Sequence, residues 1–222
     1  MTNAELKTRF NVGYEFLANN LAPGYTDAEI SGLLNQGMDL LVDELYANSD
    51  MLGLAELLVP STLDLATASF ENYGSNAYET TTSLPSDYRW VVNVKVKSVR
   101  GTPFVVNTGF IPAEIIPKQE ADYWMQTLAN RPMIITPKVV LVNSASTIRF
   151  IVLVDMYTTV TTTRGFQVVY VKTPTRIDVS NSNVNELHPR WHQKIVDKAI
   201  ALAMKAADAQ RASAEIQINK AI

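Results

Sequence analysis

From Pro189 to Ile222 the chain runs for 34 residues without a glycine or a second proline. Nothing in such a run stops a helix, so one long helix is its simplest fold. The start is marked too. Glu186-Leu187-His188-Pro189-Arg190-Trp191 places proline at the first helical position, where the missing N–H had no partner and the fixed φ suits the helix. Trp191, Ile195, Ala199, Leu202, Ala206 and Ala209 then recur at steps of 4, 4, 3, 4 and 3, one stripe of a helix. At about 1.5 Å per residue the helix reaches roughly 45–50 Å, more than one small domain covers. Its apolar content thins to alanine before Ile216, Ile218 and Ile222. The first half, to about Ala207, is expected to join the chain's own core. The remainder, through Ala209, Ala212, Ile216, Ile218 and Ile222, is expected to form a docking tail.

The first 60 residues also read as helical. Thr2 or Asn3 caps a helix with Leu6, Phe10, Tyr14 and Leu17 at steps of 4, 4 and 3. Asn19–Gly24 breaks it, and Thr26-Asp27-Ala28-Glu29 has the form of a capping box. Ile30, Leu33, Leu34, Met38, Leu41 and Leu45 follow on a second amphipathic helix; a short third one, Leu54–Leu58, is expected to end before Pro60.

From about residue 61 the pattern changes to strands. Trp90, Val92, Val94 and Val96 alternate with Val91, Asn93, Lys95 and Lys97, the period of a half-buried strand. Further strands are expected at Phe104–Asn107, Met133–Thr136, Val139–Asn143 and Thr147–Thr159, with an inserted helix opening near Ile115 and carrying Tyr123, Trp124 and Leu128. Thr163-Arg164-Gly165 reads as a hairpin tip returning through Phe166–Val171, with Thr161, Thr163 and Arg164 as candidate partner-contact residues on it. Asp178–Asn185 is polar and reads as a linker.

Helices, then strands, then a helix argue for an α+β fold. The expected arrangement packs the N-terminal helices and the long C-terminal helix together as one domain, 1–60 with 186–222. A second domain, 61–185, is a central, mainly antiparallel β region with one inserted helix and a hairpin arm near 147–171.

Composition narrows the chemistry. Hydrophobic residues make up 47% of the chain, enough for a core, whereas charged residues are 18% against a usual share of about 25%. That shortfall suggests a surface partly covered by neighbours. There is no cysteine, which excludes disulfides, thiolate metal sites and cysteine nucleophiles. No signal peptide or membrane-length apolar run is visible, so a soluble, intracellularly made protein is expected. Residues 1–60 hold two basic and nine acidic side chains, 61–185 hold 11 and 9, and 186–222 hold 6 and 4. This asymmetry fits either a solvated acidic helix face or one half of a head-to-tail contact.

Catalytic constellations are scarce. His188 and His192 are the only histidines, four apart with no glutamate between them, so a metal reading lacks a third ligand. There is no Gly-x-Ser-x-Gly elbow and no phosphate-cradling glycine-rich loop. Carboxylate pairs such as Asp43/Glu44 and Glu120/Asp122 fall in helical patterns, where a solvated face explains them. Tyr157, Phe166 and Tyr170 are candidates for base stacking, but without interleaved cations they read as packing. No catalytic residue, cofactor or metal is expected.

Two segments together carry a resemblance. Leu84-Pro85-Ser86-Asp87-Tyr88 leads straight into the alternating strand Trp90–Val99, and Glu186-Leu187-His188-Pro189-Arg190-Trp191 leads through Ile195-Val196-Asp197-Lys198-Ala199 into an alanine-rich helix. In this the chain resembles phage head–tail adaptor proteins, the tail tubular protein A-like ring subunits of short-tailed phages, including neck ring proteins of crAss-like phages. The resemblance implies a non-enzymatic virion protein of the neck, assembled in the host cytoplasm. It would form a ring, typically of twelve copies, docked beneath the portal protein and joined to the next tail or neck protein. DNA would pass through its channel without sequence-specific binding. Two other readings stay open: a β-rich binding or attachment module of another virion or secretion assembly, and a hydrolase using His188 or His192.

Overall fold

The structure, a computed structural model, describes residues 1–18, 24–64, 71–72, 77–83, 85–100, 106–120, 123, 136–143, 147–153 and 165–221. The fold is α+β and divides into two compact units. The helical unit joins Met1–Leu57 to Pro174–Ile222, and the β unit is Leu58–Thr173. Residues 174–185, expected with the strands, therefore belong to the helices.

The helical unit has three long helices, α1 (Asn3–Ala18), α2 (Asp27–Ala47) and α3 (Pro189–Ala221), with α3 packed against both others. In α1 the buried positions are Asn3, Leu6, Phe10, Tyr14 and Ala18. Leu17, expected on that stripe, is 53% exposed, because the step of four from Tyr14 continues to Ala18 instead. The capping box of α2 forms as expected: Thr26 accepts from the Glu29 N–H, and Glu29 reaches back to the Thr26 N–H. Ile30, Leu34, Met38, Leu41 and Leu45 are buried against α3, which contributes Ile195, Val196, Ala199, Ala203 and Ala207. Full burial of each large aliphatic side chain is worth about 1.5–3 kcal/mol.

After α2 the backbone turns at Ser49, whose φ is 56°. Ser49 N–H donates to Tyr46 O (3.0 Å) and Asp50 N–H to Leu45 O (2.9 Å), the paired bonds of a Schellman cap. One 3-10 turn, Ala55–Leu57, follows; strand β1 (Leu58–Asp64) then begins, before Pro60 rather than after it. Proline stops a helix, but it fits a strand at the edge of a sheet, and β1 is such a strand.

The segment expected as a linker is a strap across the helices. Asn35 of α2 grips it twice, its Nδ2 donating to Ile177 O (2.9 Å) and its Oδ1 accepting from Ile177 N–H (2.8 Å). Ser31 Oγ accepts from Val179 N–H at 3.1 Å. Asn3, at the start of α1, donates from its side chain to Asp178 O and Asn181 Oδ1, while its backbone N–H donates to Asn183 O. Ile177, Val179 and Leu187 bury their side chains beneath these bonds. Polar side chains of α1 and α2 thus satisfy strap backbone groups that would otherwise lack partners.

The β unit contains an eight-stranded sheet in the order β1-β8-β4-β5-β6-β7-β3-β2, with β2 Glu71–Asn72, β3 Ala77–Ser83, β4 Tyr88–Arg100, β5 Val106–Ile116, β6 Lys138–Asn143, β7 Thr147–Leu153 and β8 Gly165–Lys172. All neighbours are antiparallel except β5 and β6, which pair in parallel from Glu114↔Lys138 to Ile116↔Val140. A parallel pair needs a crossover. That crossover is residues 117–137, where 118–120 and 123 are helical and most of the expected inserted helix lies outside the described residues.

β4 is the strand its alternation predicted, with Val94 and Val96 buried. Register shifts against β8 between Tyr88/Trp90 and Val91/Asn93 interrupt that alternation, so Trp90 and Val92 are only half-buried. Among the described residues of the expected hairpin near 147–171, β7 and β8 do not pair with each other. β7 pairs with β6 and β3, β8 pairs with β4 and β1, and three strands stand between them. Both strands occupy interior positions, where pairing on two sides satisfies more backbone than a free-standing arm would.

Candidate functional site

Of the expected docking tail, Ala209 is exposed on α3, and Ala212, Ile216 and Ile218 lie on its helical backbone. Ala209, Ala212 and Ile216, three and four apart, share one face. Ile218, two residues past Ile216, falls about 200° away at 3.6 residues per turn, so the helix does not bring these two isoleucines together. Ile222, Thr161, Thr163 and Arg164 lie outside the described residues. On α3, Ala203 and Ala207 are buried, and Lys205, Ala206, Asp208 and Ala209 are exposed.

Both histidines help to build the start of α3. His188 is the N-cap of α3: its Nδ1 accepts from Arg190 N–H at 3.3 Å and its carbonyl from Trp191 N–H at 2.9 Å. His192 is fully buried, with Nε2 donating to Leu187 O at 2.7 Å and Nδ1 accepting from the Met1 amine at 2.6 Å. Both nitrogens are engaged in a neutral ring, and burial is the main force holding its pKa below the ordinary value. A ring so enclosed has no free nitrogen for a substrate or a metal. Beside it, Trp191 carries the Arg190 guanidinium 4.6 Å and the Lys194 ammonium 4.7 Å from its ring centroid.

In the β unit, Asp87 does more than turn the chain. Its carbonyl accepts from Thr173 N–H at 2.6 Å and its carboxylate from Tyr170 Oη at 3.1 Å, tying the entry of β4 to the end of β8. Burial first, and the Asp87 bond next, raise the Tyr170 phenol. Tyr170 is 5% exposed and packs at a tilt against Tyr88, their ring centroids 5.8 Å apart, so it offers no platform for a base. Tyr157, and the side chain of Phe166, are outside the described residues. Lys138, nearly buried, bridges to Glu114 across the parallel β5–β6 pair.

A surface that sequence periodicity passed over lies on α1. Val12 is 64% exposed and Phe16 81%. They sit four apart, on the side of α1 opposite Phe10 and Tyr14. The signal was present as two large apolar residues off the core stripe.

Among the described residues, no three His, Asp or Glu side chains gather where they could hold a metal ion, and no helix is long and apolar enough to cross a membrane. Comparison with protein-family models and with curated proteins gave no match to the chain.

Proposed function

We propose that this chain is a structural subunit of a phage neck: a head–tail adaptor that assembles into a ring, docks to the portal, extends the DNA channel and joins the next tail component. The observation that carries the reading is α3, a helix of 33 residues from Pro189 to Ala221. At about 1.5 Å per residue such a helix is roughly 50 Å long, more than one small domain covers. The two segments that carry the family resemblance support it. Pro85–Tyr88 sets the entry of β4 through Asp87, and Glu186–His192 sets the start of α3 through its cap and buried ring. Charge fits as well. The helical unit holds nine basic and fourteen acidic side chains and the β unit ten and eight, an asymmetry suited to unlike faces meeting in a ring. A mildly acidic chain also suits a conduit, because channel cations would retain DNA phosphates.

Light scattering on the purified chain, alone and mixed with its portal protein, tests the reading. The expected result is a multi-subunit ring on the portal. A chain that remains monomeric in both samples contradicts it.

A further inference from the structure

We propose that His192 is the acid-sensitive latch of a clasp: protonation of its buried ring releases Met1–Asn3 from the strap while the packed helices stay folded. The clasp is a short antiparallel contact, with Thr2 bridged to Val184. Asn3 N–H donates to Asn183 O at 2.8 Å, and Asn185 N–H to Met1 O at 3.3 Å. The Asn3 side chain adds bonds to Asp178 O (3.1 Å) and Asn181 Oδ1 (3.0 Å). His192, on α3, ties the two sides together: its Nε2 donates to Leu187 O and its Nδ1 accepts from the Met1 nitrogen. One ring thus joins the first residue of the clasp to the end of the strap.

The latch depends on where hydrogens sit. At 2.6 Å, one hydrogen bridges the Met1 nitrogen and His192 Nδ1, with one atom donating and the other accepting. A protonated imidazole donates from both nitrogens. Nε2 then keeps its bond to Leu187 O, but Nδ1 faces a second donor beside a fully buried ring. The charged groups around the ring come from two places. Met1 and Glu5 stand at the start of α1, and His188 at the turn before α3; Met1 and His188 oppose a proton on the ring, and Glu5 favours one. On the strap, the Asp178 carboxylate is engaged by Ser180 and that of Glu186 by Thr175. α2 reaches the site through Met38, whose uncharged sulfur accepts from Asn185 Nδ2 at 3.7 Å. Opening the clasp gives the charged ring and the Met1 nitrogen water in place of each other. The buried Leu6, Phe10 and Tyr14 of α1 and Ile195 and Ala199 of α3 take no part in it, so the opening is local. Because burial opposes the charged ring, the clasp is closed at neutral pH and opens below the ordinary 6.5. The device lies within the helical unit and does not rest on the ring reading.

Amide hydrogen exchange on the full chain at pH 7.5 and pH 5 tests this, each rate being divided by the unstructured rate at that pH. The Asn3 and Asn185 amides are expected to be protected at pH 7.5. At pH 5 they should lose roughly tenfold or more of that protection and approach unstructured rates, while Leu41 and Val42 in α2 stay protected. His192→Gln, neutral at every pH, should abolish the response. Asn3→Ala weakens the clasp without touching the ring, so its midpoint should move to higher pH, toward the 6.5 of a free histidine. Clasp amides equally protected at both pH values overturn the proposal, as does loss of protection in α2 together with the clasp. An unchanged response in His192→Gln overturns it too, and so does an unmoved midpoint in Asn3→Ala.

Discussion

Gly37 lies against the carbonyl of Ile195 so closely that a Cβ at Gly37 would stand 2.7 Å from that oxygen and 3.0 Å from Ala199 N. Both are backbone atoms of α3 and cannot swing aside. Here α2 and α3 cross at the closest approach that a glycine and an alanine permit. Gly37→Ala is therefore expected to destabilise the helical unit by about 1–3 kcal/mol, the usual cost of overpacking. Gly32, on the same helix, has no atom within 4 Å of its would-be Cβ. Gly32→Ala should stabilise by about 0.5–1 kcal/mol through helix propensity alone. Urea unfolding of the two variants checks the pair; equal effects would refute the close crossing.

Ser49 adopts the left-handed conformation that closes α2, at a φ of 56° where glycine is at ease. Replacing it with glycine keeps both capping bonds and removes the Cβ strain. The expected gain is about 1 kcal/mol. A drop in melting temperature for Ser49→Gly would contradict the assignment of this turn.

His192 gives a pH dependence of definite sign. Burial lowers its pKa from the ordinary 6.5, so the unfolded chain binds a proton before the folded one does. Above about 6.5 neither state is protonated and the contribution to stability is complete. As pH falls below that, stability declines until the folded ring takes up its proton as well. Thermal melts between pH 7.5 and 5 should show this decline, and His192→Gln should flatten it. Glu29, Glu44 and Asp178, held low mainly by bonds to Thr26, Lys198 and Ser180, lose their contributions only at more acid pH.

Asn35→Leu tests the strap. The exchange removes both bonds to Ile177 and leaves that residue's N–H and C=O without the partners they have now. A loss of about 1–3 kcal/mol is expected, with faster hydrogen exchange at the Ile177 and Val179 amides. Unchanged exchange at Ile177 would mean that the strap is held elsewhere.

Local chemistry made part of this fold legible. Thr26 and Glu29 sit three apart and cap α2 whatever surrounds them, and His188-Pro189 starts α3 in the same self-contained way. The core stripes of α1 and α2 follow mostly from period, with Leu17 the exception on α1. Pairing at long range was not legible. Nothing in Phe166–Val171 says that β8 goes to β4 and β1 rather than folding back on β7. Pro60 rules out a helix interior and equally allows an edge strand, so its place depended on where the sheet ends. Asp178–Asn185 looked like a linker because its partners, Asn35, Ser31 and Asn3, are more than 140 residues away in sequence. As for the candidate site, the length of α3 was legible from the run without glycine or a second proline. Val12 and Phe16 were not, since two exposed apolar residues acquire meaning only once the buried face of α1 is known.

The central claim, a ring at the neck of a virion, is tested most directly by imaging the assembled particle with an antibody against this chain. The account predicts label at the single vertex where the tail joins, directly beneath the portal. Label spread over the capsid shell, or absent from the particle, would contradict it.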